Sequence, residues 1–168
     1  MGIWWLATSK NEGHSSYNEL KYRKILAQGW SVIGDLSALL PVRDRSKFKI
    51  IIDKLVDYAD GSEDERGPGR IILNLLDFRE DDYVLCTEGE TVKGIAKVGP
   101  APKYRYDNGA GSFEYAQTIY PVTEWKDWNV QLAGPPPPTK AMGPVGINHY
   151  GGGEQDIEDA WRKLQLST

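Results

Sequence analysis

A mixed α/β domain built on one curved sheet flanked by helices is the fold class this chain predicts. Three observations lead there. Extended segments alternate with helical ones along the chain, two segments carry apolar residues at helical spacing, and a hairpin pattern precedes a late strand. A length of 168 residues fits one domain and is enough to bury a core.

The elements read as follows. Ile3 to Thr8 is a buried strand in which the consecutive Trp4 and Trp5 point to opposite faces. After a polar loop, Ser15 or Ser16 caps a helix running to about Ala27, which Gly29 breaks. Trp30 to Ile33 is short and extended, and a loop follows from Gly34 to Pro41. Ser46 to Tyr58 is the clearest helix, with Phe48, Ile51, Ile52, Leu55, Val56 and Tyr58 on one broad stripe. A Gly-rich acidic loop leads to a second such helix over Arg70 to Phe78. Asp82–Cys86 and Thr91–Val98 form a hairpin around Glu88-Gly89-Glu90. Tyr104–Tyr106 is a strand candidate, and Asn108–Ser112 is a Gly-rich tip. Phe113 to Trp125 is a strand that Pro121 marks as an edge or a bulge. Ile157, Ala160, Trp161 and Leu164 give a last helix over Glu154–Leu164. Residues 1–133 thus form the core, 134–144 a Pro/Gly-rich linker crossing it, and 145–168 a ligand-side loop and helix completing the same domain.

Composition narrows the function. Net charge is −4 and the pI about 5.2, which counts against a protein devoted to wrapping bare phosphate backbone. Local basic clusters exist at Lys21, Arg23, Lys24 and at Arg43, Arg45, Lys47, Lys49; solvated faces are the plainer account of both. The second cluster is the candidate phosphate contact. Cys86 lies in an apolar run and reads as a buried free thiol. One Cys and two His give no metal-site spacing, and no cofactor is implied. The apolar N-terminal stretch is too short for a signal peptide or a membrane span, so a soluble cytoplasmic protein is expected, with no membrane partner. There is no nucleophile elbow, phosphate-cradling glycine loop or spaced acidic-acidic-Lys set, so no enzyme activity is expected.

Six tryptophans and nine tyrosines are enough for both a core and a pocket. Trp30 follows Gly29 at the start of a loop, and Trp125 closes the late strand. Facing each other, the two indoles make a slot for a flat ring, and stacking a nucleobase on one aromatic contributes roughly 1–3 kcal/mol. His14 and His149 lie in loops. Exposed polar filler is the simpler account of each, although Asn148-His149 precedes Gly151-Gly152-Gly153 and a helix, where free backbone N–H groups suit an anion.

The order of these pieces resembles the YTH and EVE domains of the PUA-like superfamily. The resemblance is carried by Ile3–Asn11, by Gln28-Gly29-Trp30-Ser31, by the Glu88–Val98 hairpin, by Tyr115–Trp125, and by Pro144–Asn148 through the Gly-rich turn to Ile157. The chain is similar as well to the DNA-reading N-terminal domains of modification-dependent restriction systems, through Gly29-Trp30-Ser31, Asp82-Tyr83-Val84-Leu85, Tyr104-Arg105-Tyr106-Asp107 and Val122-Thr123-Glu124-Trp125. The resemblance implies a curved, barrel-like PUA-like sheet. It also implies recognition of a methylated or otherwise modified base, in DNA rather than RNA, flipped into an aromatic cage. Trp30 and Trp125 would sandwich the base. Ser31 and the loop Ser9, Lys10, Asn11 would meet its edge, with Tyr106, Asn148 and His149 nearby. Any cleavage would come from a nuclease or motor subunit or a fused domain. The rival readings are a protein-interaction module with the fold but no pocket, and a small nucleotide-acting enzyme.

Overall fold

Trp4 and Trp5 do point to opposite faces, and each finds its own core. The computed structural model describes residues 2–8, 15–61, 67–89, 91–107, 116–138 and 146–167. Strand β1 (Ile3–Ala7) is buried almost throughout. Helix α1 (Tyr17–Arg23) then leads through a left-handed Lys24 into β2 (Leu26–Gln28). Helices α2 (Arg45–Asp60) and α3 (Pro68–Leu76) precede β3 (Tyr83–Glu88), the long β4 (Thr91–Tyr106) and β5 (Gln117–Asp127). A short α4 (Val130–Ala133), β6 (Ile147–His149) and α5 (Glu154–Leu164) follow.

The sheet is six-stranded and mixed, in the order β2-β5-β4-β3-β1-β6. β1 runs parallel to β3, and the remaining pairs are antiparallel. β2 and β6 do not pair, so the sheet is open, but it curls strongly. The Gln28 Nε2 at the end of β2 donates to the Ala7 carbonyl at the end of β1 (3.2 Å), although β5, β4 and β3 lie between those strands in the sheet. The bend is local to β4 and β5. Their register slips between Val98 and Lys103, opposite a cis Tyr120-Pro121 bond, and Ala101 takes a positive φ of 46°. Pro121 therefore marks a bulge rather than an edge, because β5 has a neighbour on each side.

On one face of the sheet, Leu20 of α1 and Ile71 and Leu75 of α3 pack with Leu6, Val84, Ala96 and Val122. On the other, α5 lays Ile157, Trp161 and Leu164 against Trp5, Leu85 and Ile95. Burying each such side chain contributes roughly 1.5–3 kcal/mol. A third cluster joins Phe48 and Ile52 of α2 to Ile72 and Leu73 of α3 and to Leu36. Asp82, itself buried, is the polar anchor beneath β1: it accepts hydrogen bonds from the Gly2 N–H (2.6 Å), the Trp4 indole (3.0 Å) and the Arg79 N–H (2.9 Å). Cys86 is a buried free thiol whose ionisation burial pushes up.

Five local expectations change. Thr91–Val98 and the Tyr104–Tyr106 candidate are a single long strand, β4. The first helix stops at Arg23, because Ile25, Leu26 and Ala27 are all buried in succession, which a strand crossing a core allows and a one-sided helix does not. Trp30 to Ile33 is not extended: Trp30 is left-handed and Ser31–Ile33 is a 3-10 turn. Only Phe48, Ile52 and Val56 of the α2 stripe are buried, while Ile51, Leu55 and Tyr58 face solvent beside them. His149 lies in β6, antiparallel to β1, rather than in a loop. The Gly-rich tip at 108–112 and His14 lie outside the described residues.

Candidate functional site

One end of the curled sheet collects an unusual density of buried polar groups. The ends of β1, β2 and β4 and the start of β5 meet there, and Thr8, Gln28, Thr87, Gln117 and Thr118 are all buried. Burying an amide without partners is costly, so each of these must be satisfied. Gln117 does most of the joining. Its Nε2 donates to the carbonyls of Trp30 (3.3 Å) and Gly34 (3.1 Å), and its Oε1 accepts from the Tyr104 hydroxyl. The Tyr104 oxygen accepts in turn from the Leu36 N–H (3.1 Å). Burial pushes the Tyr104 hydroxyl up to about 12, so it remains a protonated donor across the neutral range. The segment from Trp30 to Leu36 is thereby tied to the sheet by the buried Gln117 and the half-buried Tyr104.

This tie holds Trp30 in an uncommon state. Its backbone lies in the left-handed region (φ 60°, ψ 46°), which a bulky residue avoids. Such conformations cost of order 1–3 kcal/mol and persist where the surroundings over-determine them. The indole is half-buried, packed between the sheet core and the cluster under α2. Ser31 follows it, and the Tyr106 hydroxyl donates to the Ser31 carbonyl (3.0 Å). Trp30, Ser31 and Tyr106 are thus brought together. Tyr106→Phe is expected to cost about 1 kcal/mol of stability, the net worth of one hydrogen bond, in a urea titration; an unchanged midpoint means the hydroxyl does not secure this turn.

Three segments leave the same end. Thr8 is anchored through its N–H (2.8 Å) and hydroxyl (2.7 Å) to the Thr87 carbonyl, with Ser9, Lys10 and Asn11 next in sequence but outside the described residues. Asp107 N–H bonds the Ala116 carbonyl (2.8 Å), and Ala7 N–H bonds the Gly146 carbonyl (3.0 Å). Arg23 pairs with Asp107 (3.1 Å) at the rim.

Trp125 is elsewhere. It stands toward the far end of β5 from Gln117, where its indole N–H donates to the Tyr17 hydroxyl (3.1 Å) and its ring meets the Tyr17 ring edge-on at 5.6 Å. The Tyr17 hydroxyl donates to Asp127 Oδ1 (2.7 Å), and Lys21 pairs with Asp127 Oδ2 (2.8 Å). Burial and Asp127 both push the Tyr17 ionisation up. Burial alone would raise the Asp127 carboxyl, but the hydrogen bonds from Lys21 and Tyr17 outweigh it and hold the carboxyl below its ordinary value. Trp125 opens onto a shallow concavity of about 270 Å³ lined with Lys21, Lys24, Thr123, Glu124 and Lys126. Trp30 is not among its walls. The expected single slot between two indoles is instead two separate places, because β5 carries its two ends apart.

Asn148 and His149 lie along β6 beside Trp5 and Trp4, not at the end of β1. Asn148 Oδ1 accepts from Arg70 (2.6 Å), which fastens β6 to α3, and His149 stacks on Trp4 with centroids 3.7 Å apart. Both have structural work that accounts for them. In the basic cluster, Arg45 is taken by a two-pronged pair with Asp77 (2.8 and 2.7 Å), which removes it from the expected phosphate contacts. Arg43, Lys47 and Lys49 are exposed around the first turns of α2. Gln28, Gln117 and Tyr104 are the site residues that sequence reading misses. A glutamine in a polar stretch carries no signal of burial, and only the pairing of β2 with β5 reveals it.

Among the described residues, no group of three or more His, Cys, Asp or Glu side chains could hold a metal ion, and no helix is long and apolar enough to cross a membrane. No protein-family model matches the chain, and no curated protein sequence matches it.

Proposed function

We propose that the chain is a reader of a modified nucleobase, in DNA rather than RNA, with Trp30 as its stacking platform. One observation carries this reading: a bulky tryptophan is held left-handed and half-buried by a buried amide and a half-buried tyrosine whose hydrogen bonds are spent on holding its segment. A stacking platform needs a fixed aromatic face, and fixing it beforehand lowers the ordering cost of binding. Ser31 follows Trp30 in the chain and the Tyr106 hydroxyl bonds its carbonyl, so both residues are available to meet the edge of a flipped base. Flipping costs a few kcal/mol, least for a base already weakly paired, and stacking on Trp30 offsets part of it. A PUA-like architecture of YTH or EVE type fits the same reading. Its support is the strong curl that returns Gln28 to Ala7 and places the Gly29-Trp30-Ser31 element at the open end. Trp125 is not needed as a second wall.

The test is a binding screen of short duplexes and single strands carrying methylcytosine, hydroxymethylcytosine, methyladenine or no modification. One modified base is expected to bind at least about tenfold more tightly than its parent, about 1.4 kcal/mol. Equal affinity for all of them, or none for any, overturns the proposal, and the second result favours a protein-interaction module.

A further inference from the structure

We propose that the concavity beside Trp125 is a second contact, one that holds a phosphodiester group of the bound nucleic acid rather than a base. The inference rests on the base-reading proposal. Lys21, Lys24 and Lys126 surround the concavity with Thr123 and Trp125. Asp127 answers Lys21 at 2.8 Å, and Glu124 offsets one further charge. Lys24 and Lys126 form no ion pair among the described residues, so both ammonium groups are open to an incoming anion, with a net surplus of one positive charge once Glu124 is counted. In a chain of net charge −4, such a surplus in a hollow is a local exception.

The backbone adds an independent observation. Lys24 ends α1 in the left-handed conformation (φ 57°, ψ 47°), the position that glycine fills most cheaply. Its carbonyl accepts from the Val122 N–H of β5 (3.1 Å), so the residue is pinned at the rim of the hollow. A lysine therefore stands where helix termination alone would favour glycine, and the ammonium group is the reason that fits. The described residues hold four non-glycine positive-φ positions, and two of them, Trp30 and Lys24, fall at the two proposed contacts.

The two places lie on the same face of the sheet, since Trp30 and Trp125 both border the core that contains Leu20 and Ile71. From Gln117 to Thr123, β5 spans at most about 20 Å at roughly 3.3 Å per residue. Duplex DNA rises about 3.4 Å per base pair along each strand, so the phosphate lies at most about six base-pair steps from the flipped base. A duplex with arms of about eight base pairs therefore covers both places.

Salt titrations of the full chain decide the matter, using an unmodified duplex and the same duplex with one central methylcytosine, each with arms of about eight base pairs. Lys24→Gly keeps the left-handed cap and removes the charge, so it is expected to match or exceed the thermal stability of the parent. The slope of log affinity against log salt should fall by about one with Lys24→Gly, and by about two when Lys126→Gln is added, on both duplexes. The ratio between modified and unmodified duplex should not change. An unchanged slope in the double variant overturns the inference and leaves the lysines as solvated surface. If the parent prefers no modified base in the wider screen while the slopes still fall, the phosphate contact stands and the base-reading proposal fails.

Discussion

Gly94→Ala is expected to destabilise the protein by about 2–5 kcal/mol, a large share of the 5–15 kcal/mol that holds a typical domain together. Gly94 lies in β4 between Cys86 of β3 and Asp127 of β5. A methyl group there would meet the Tyr17 hydroxyl head-on and the Lys126 carbonyl at 2.5 Å. Neither neighbour can retreat cheaply. The carbonyl belongs to a paired strand, and the hydroxyl is held by Asp127, the Lys93 carbonyl (3.2 Å) and the Trp125 indole. The cost combines overpacking, about 1–3 kcal/mol, with the loss of one or two hydrogen bonds at about 1 kcal/mol each. Thermal melting should shift down by about 10 °C. A double-mutant cycle identifies the cause: in a Tyr17→Phe background, where the clashing oxygen is gone, Gly94→Ala should cost less than it does alone. Additive losses would place the strain in the strands instead.

Gly94 also illustrates where the sequence is readable. The hairpin containing it is legible because alternating apolar residues flank a Glu-Gly-Glu turn. That the residue must be glycine is not, since Tyr17 and Lys126 approach it from α1 and β5. Helix α5 is legible to the residue because Ile157, Ala160, Trp161 and Leu164 recur at helical spacing and bury against a single face. Helix α1 is overextended in the sequence because Leu26 and Ala27 suit either state alone; pairing with Ile119 and Thr118 decides for a strand. At the candidate site, Trp30 stands out because Gly29 precedes it and Ser31 follows. Its left-handed backbone does not, because the groups that enforce it, Gln117 and Tyr104, come from distant strands and look like ordinary surface residues on paper. The pairing of Trp30 with Trp125 fails for a related reason. Both end a recognisable segment, but only the register of β5 says which end of the sheet each occupies.

That register sharpens what replacing Trp30 should do. Trp30→Gly removes the indole and relieves the left-handed backbone together, since glycine enters that region freely. Trp30→Ala removes the indole and keeps a β-carbon in the same conformation. If the indole were mainly a core residue, both variants would lose the 3–5 kcal/mol typical of an aromatic truncated in a core. The half-buried ring and the strained backbone argue otherwise. Trp30→Gly is expected to lose less than about 2 kcal/mol, because relieving 1–3 kcal/mol of strain offsets part of the lost contacts. Trp30→Ala should be less stable than Trp30→Gly by roughly 1 kcal/mol. Binding should respond differently. Both variants should lose about 1–3 kcal/mol of affinity for the modified oligonucleotide, roughly tenfold to more than a hundredfold, because both lack the stacking face. Affinity for the unmodified strand, set by phosphate contacts, should change little. Urea unfolding and anisotropy titrations of the two variants separate these effects. If affinity follows stability across the pair, Trp30 is a packing residue. If affinity is lost equally while stability differs, the indole is a recognition surface whose conformation the fold maintains at a cost.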